Sequence, residues 1–101
     1  MAKRQYRVYW TQPAVADLLE AAAFIRREQP AAARRLYDDV SKKTNLIRHH
    51  PLLGRVIPEF QNRFLRELVV SPYRLIYRVL AAESRIEVLA GLHSSRLLPT
   101  P

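Results

Sequence analysis

The chain has 101 residues, no cysteine, and 17 Lys+Arg against 9 Asp+Glu, a net charge of +8. That length points to one domain, residues 1–101, able to bury roughly 65% of its unfolded surface, and the missing cysteine excludes disulfides and thiolate metal sites. The start Met1-Ala2-Lys3-Arg4 leads into no apolar run, and no apolar stretch approaches ~20 residues, so neither a signal peptide nor a membrane span is expected and the cytoplasm is the expected location.

All the basic residues but Lys3, Lys42 and Lys43 are arginine, the side chain suited to a two-pronged grip on phosphate or carboxylate. A basic balance of this size implies nucleic acid, a ribonucleoprotein or an acidic protein as partner.

In chain order, Tyr6 to Trp10 is short, aromatic and β-branched, and reads as a strand. Thr11-Gln12-Pro13 reads as a helix start, with Thr11 or Gln12 near the cap and Pro13 in the first turn. Val15, Leu18, Leu19, Ala22 and Ile25 continue at helical spacing, and Pro30 stops this helix and opens the next. The second apolar stripe is Ala33, Leu36, Tyr37, Val40, Thr44 and Ile47, ended by Pro51. About two residues join the helices, which predicts a helical hairpin. His49-His50 reads as a feature of the helix C-terminus, where cations are favoured, and no metal site or cofactor is expected.

Residues 49–61 read as a loop. Then the period changes from 3.6 to 2. Phe64 to Val70, Tyr73 to Leu80 and Arg85 to His93 read as strands, with turns at Ser71-Pro72 and at Ala81 to Ser84. The predicted fold class is therefore α+β: an N-terminal strand, a two-helix hairpin, then a three-stranded antiparallel meander, with the helices packed on one face of the sheet. In the middle strand Tyr73, Leu75, Tyr77 and Val79 point one way, and Arg74, Ile76 and Arg78 point the other. The hairpin can cover only one face, so Arg74 is expected on an open one. The tail at about 97–101 follows the last strand.

Glu67, Arg66, Arg74, Arg78 and His93 fall on adjacent predicted strands, and Arg55 and Glu59 fall in the loop that feeds them. A carboxylate, an arginine and an imidazole brought together can cleave RNA. One group takes the 2′-hydroxyl proton, the arginine holds the phosphate charge, and the other group protonates the leaving oxygen. The competing reading is structural: Glu67–Arg78 or Arg66–Glu87 as cross-strand ion pairs worth about 0.2–1 kcal/mol each. Most of the aromatic residues are expected in the core. Tyr73, beside Arg74, is a candidate contact.

Three segments carry a resemblance: Trp10-Thr11-Gln12-Pro13-Ala14-Val15-Ala16-Asp17-Leu18, then His50-Pro51-Leu52-Leu53-Gly54-Arg55-Val56-Ile57-Pro58-Glu59, then Arg66-Glu67-Leu68-Val69-Val70-Ser71-Pro72-Tyr73-Arg74-Leu75-Ile76-Tyr77-Arg78-Val79, closed by His93-Ser94-Ser95-Arg96. In this order and spacing, over about residues 6–98, the chain resembles the RelE/ParE superfamily, the toxins of type II toxin–antitoxin modules. The resemblance implies a growth-inhibiting toxin neutralised by a cognate acidic antitoxin. ParE-like members inhibit DNA gyrase; RelE-like members cut mRNA in the ribosome. The ribonuclease pattern maps onto Glu59, Arg74 and His93 as catalytic residues. Cleaving members often place a tyrosine just after that histidine, whereas Ser94 stands here, and the Arg66-Glu67-Leu68 strand is more ParE-like. A ParE-like gyrase inhibitor is therefore expected, and it would not be an enzyme. The alternatives are a RelE-like endoribonuclease acting on ribosome and mRNA, or a nucleic-acid-binding module without toxin activity. Arg55, Arg66, Tyr73, Arg78 and Arg96 are the candidate contacts to target or phosphate.

Overall fold

The computed structural model describes residues 5–93. Its elements are β1 (Arg7–Trp10), α1 (Gln12–Arg26), α2 (Pro30–His49), β2 (Arg55–Val56), β3 (Leu65–Val70), β4 (Tyr73–Leu80), a short 3₁₀ turn (Ala81–Glu83) and β5 (Arg85–His93). The five strands form one sheet in the order β1-β5-β4-β3-β2. β3, β4 and β5 are the predicted antiparallel meander, and the helical hairpin lies against one of its faces.

The predicted start of α1 holds. Thr11 caps it, its side chain accepting from the Ala14 amide while its hydroxyl donates to the Val88 and Leu89 carbonyls of β5. One residue thus satisfies an orphan amide of the first turn and pins the helix to the sheet. Ala14 and Ala22 are fully buried, so α1 approaches closely. Leu36, Val40 and Ile47 of α2 meet Leu68 and Val70 of β3, Leu75, Tyr77 and Val79 of β4, and Ile86 and Val88 of β5 in one core. Full burial of side chains such as Ile47 and Ile86 contributes about 1.5–3 kcal/mol each.

Two features depart from the expected layout. The segment expected to be all loop contains β2, which pairs antiparallel with β3 through Arg55↔Glu67 and Val56↔Arg66. The N-terminal strand closes the opposite edge and runs parallel to β5, so the sheet is mixed. Its alternation explains the seat: Val8 and Trp10 pack against the core while Arg7 and Tyr9 face away. A register shift between Ile76 and Tyr77 lets β5 bulge at Leu89 without disturbing the alternation of β4. No helix among the described residues is long and apolar enough to cross a membrane.

Candidate functional site

Glu67 projects from β3 onto the face away from the helices and is 1% exposed. Both of its oxygens are used. Oε1 accepts from Arg55 Nε, and Oε2 accepts from Arg74 NH1 at 3.0 Å. Arg74 NH2 lies 3.7 Å from Glu59 Oε2. Two carboxylates and two guanidiniums therefore form a continuous network spanning β2, β3, β4 and the segment after β2. β2 brings Arg55 opposite Glu67, and the chain then carries Ile57, fully buried, and Glu59 across Arg74.

This corrects the expectation that Arg74 stands on an open face. Its direction follows the strand alternation, but at 6% exposure it is covered and its charge is met by Glu67 and Glu59. The expected ion pairs are corrected too. The register sets Leu65 opposite Arg78 and Ile76 opposite Glu67, so Glu67 pairs with Arg74 and Arg55 rather than Arg78. Arg66 faces the helix side, away from Glu87. There its Nε donates to the Arg63 carbonyl and its NH1 to the Gly54 carbonyl at 3.0 Å and, more weakly, the Leu52 carbonyl at 3.4 Å. Arg78 instead meets Glu87, which also pairs with Arg85 at 3.1 Å. The hydrogen bond from Arg78 and the charges of both arginines hold the Glu87 carboxyl below the usual glutamate range.

His93 stands apart from this network. The register places it beside Tyr73, one residue out of phase with the Arg74↔Leu92 pair, so it belongs to the helix side of the sheet. Its ring meets Tyr73 edge-on at 5.5 Å. Both line a cleft of about 470 Å³ with Asp17, Glu20, Phe24 and Arg27 of the α1 region. Of the three residues mapped as catalytic, Glu59 and Arg74 are brought together, and the sheet separates them from His93. The alternation of the paired strands thus sends the Arg74 and His93 side chains to opposite faces of the sheet. Arg96 lies outside the described residues, as does the tail at about 97–101.

A group that sequence reading placed only in the core turns out to be polar glue. The Tyr77 hydroxyl accepts from the Gly54 amide at 2.9 Å and donates to the Pro51 carbonyl at 2.7 Å, fastening the 51–54 segment to the middle of the sheet. Burial raises its pKa above the ordinary 10.0, against smaller lowering effects of the Gly54 amide and Arg66. The folded chain therefore holds this proton more tightly than the unfolded chain does. Stability from this group is undiminished below pH 10.0 and falls as pH rises beyond it. Tyr77→Phe is expected to cost about 1–3 kcal/mol at neutral pH, because a buried amide and carbonyl lose their partner. In thermal melts between neutral and strongly alkaline pH, the variant's melting temperature should also fall less steeply than that of the native chain. Equal stability at neutral pH would show the hydroxyl to be dispensable.

The chain matches the family model described as "ParE toxin of type II toxin-antitoxin system, parDE" over residues 8–98. It is 28% identical over 95 residues to "Putative toxin Y4kP" of Sinorhizobium fredii, covering 92% of this chain and 93% of that protein. Among solved structures it superposes on a chain of the chromosomal ParDE toxin–antitoxin system from P. aeruginosa with a TM-score of 0.70, at 19% identity and covering 89% of this chain and 97% of that one. A chain of the RelBE2 toxin–antitoxin complex from Mycobacterium tuberculosis follows at 0.61, with 20% identity and coverage of 88% and 98%. At those identities the structures speak for the fold alone, and both branches of the superfamily share it. The family match spans nearly the whole chain, including both helices, strands β2 to β5 and all of β1 but Arg7. The chain belongs to the ParE toxin family and is a toxin of the type II toxin–antitoxin class.

Proposed function

We propose that this toxin arrests growth by inhibiting DNA gyrase and that a cognate acidic antitoxin silences it. The observation that carries the reading is the separation of His93 from Glu59 and Arg74 by the sheet, which leaves the residues of a ribonuclease on opposite faces. A gyrase inhibitor needs no proton transfer on the toxin, only contact residues. Arg55 and Arg78, whose side chains are 62% and 51% exposed, are the proposed ones among the described candidates. The antitoxin reading rests on the hairpin. Val15, Leu19 and Phe24 of α1 are exposed apolar residues, and Arg26, Arg27, Arg34 and Arg35 surround the joint between the helices. A disordered acidic segment can set its apolar side on the first group and its carboxylates against the second.

The Glu59–Arg74 contact is the observation that favours the alternative, ribosome-dependent mRNA cleavage. His93→Gln separates the two. In a nuclease, loss of a proton-transferring imidazole slows cleavage by about 10²-fold or more and abolishes toxicity. In a gyrase inhibitor it changes one ordinary polar contact, worth about 1 kcal/mol. Bacteria expressing His93→Gln are expected to arrest like those expressing the native chain. Normal growth at equal protein level and unchanged folding would sink the gyrase reading.

A further inference from the structure

Among the described residues, the sheet face away from the helices is covered by the 55–60 segment at its β2 and β3 end. At its other end it presents a fixed group of side chains from three strands. Register sets Arg7 beside Arg85, Tyr9 beside Glu87, and Glu87 beside Arg78, so all five project from the same face. Glu87 takes Arg78 on one oxygen and Arg85 on the other. It thereby braces two guanidiniums whose side chains remain 51% and 41% exposed. Arg85 also lies over the Tyr9 ring, 4.3 Å from its centroid, while Tyr9 itself stays 41% exposed. Arg7, exposed, completes the arc, and a cleft of about 290 Å³ runs between Arg7, Tyr9, Glu83, Ser84 and Arg85. Three arginines against two carboxylates, Glu87 and Glu83, leave an excess of positive charge, and the bracing by Glu87 removes much of the rotamer freedom that ordering Arg78 and Arg85 would otherwise cost.

We propose that this β1 end of the sheet binds single-stranded nucleic acid, with phosphates on Arg7, Arg78 and Arg85 and a base stacked on Tyr9. Charge complementarity alone would suit an acidic peptide equally well. The aromatic platform decides between them, since every base has a π-face to lay on a ring and a carboxylate side chain has none. The arginine over Tyr9 extends that platform rather than capping it, because guanidinium planes also stack on bases. Nothing in the inference depends on gyrase.

The test uses the purified full chain and a fluorescent oligothymidylate of ~20 nucleotides, longer than one such site needs. Binding is read by anisotropy from about 50 to 200 mM salt. The expected result is binding that weakens with salt. Arg7→Gln with Arg85→Gln should weaken it about tenfold or more and reduce the logarithmic salt slope by about 1.4, the share of two phosphate contacts to a single strand. Tyr9→Leu should weaken it about fivefold or more with the slope unchanged, as loss of stacking requires. The pair Arg34→Gln and Arg35→Gln on α2, an equal loss of charge elsewhere, should stay within about twofold, the change expected from the long-range field alone. Thermal melts establish that each variant is folded, and Tyr9→Leu and the arginine pair stand as separate tests should either fail. Absence of binding would overturn the site. So would equal losses from the α2 pair, or displacement of the oligonucleotide by polyglutamate as readily as by unlabelled oligothymidylate. Because the assay contains no gyrase, its failure leaves the proposed activity standing, and a failed gyrase assay leaves this site standing.

Discussion

Replacing Glu67 with methionine is expected to destabilise the fold by about 3–5 kcal/mol, because it takes from the Arg74 guanidinium, in a covered site, the carboxylate that lies 3.0 Å away, and Glu59 stands farther off at 3.7 Å. For a domain of this size that corresponds to a fall in melting temperature of more than about 12 °C. Arg74→Met should be costly for the mirror-image reason, since the Glu67 side chain is wholly buried and would keep only Arg55. The double variant, Glu67→Met with Arg74→Met, removes both buried charges. It should be more stable than either single variant, a coupling that a double-mutant cycle reads directly. If Arg74→Met instead melted like the native chain and lost toxicity, Arg74 would be a functional residue and not a structural one.

That outcome bears on what could be read before the structure. Helix limits, strand limits and the fold class were legible because they are local. Proline at 13, 30 and 51 and the change of period after the loop mark each element, and the alternation of β4 correctly sends Arg74 away from the core. Pairing is not local. Alternation says which way Glu67 and Arg78 point, but register says which residue each one faces, and the register gave Arg78 to Glu87 and Glu67 to Arg74 and Arg55. β2 is two residues long, below any periodic signal, yet it draws the 55–60 segment over Arg74. The side of the sheet taken by His93 depends on its phase opposite Tyr73, and so on a pairing across a bulged strand. The Tyr77 hydroxyl could have been suspected from one clue, a lone glycine between Leu53 and Arg55 in a chain with only two glycines.

That glycine carries the second large effect. A Cβ on Gly54 would lie 2.6 Å from the Glu67 carbonyl oxygen, 2.7 Å from the Tyr77 hydroxyl and 2.8 Å from Cε1 of the same ring. The first is backbone in the adjoining strand and the others belong to a fully buried side chain, so the 51–56 segment must lift instead. Lifting it breaks the Gly54–Tyr77 hydrogen bond, loosens the β2–β3 pairing and pulls Arg55 from Glu67. Gly54→Ala is therefore expected to cost about 3 kcal/mol, at the upper end of overpacking effects. It should appear as a fall in melting temperature of roughly 12 °C or more, with accelerated amide exchange in β2. An unchanged melt would mean that the segment has room to yield and that Tyr77 does not fix its position.

The activity proposed for this toxin is tested most directly by purified DNA gyrase acting on relaxed plasmid while the purified chain is titrated in. Gyrase inhibition predicts that supercoiling stops, that the cognate antitoxin restores it, and that mRNA on translating ribosomes given the same protein stays uncut. Supercoiling that proceeds at full rate beside codon-position cuts in that mRNA would contradict it and make the toxin a ribosome-dependent nuclease.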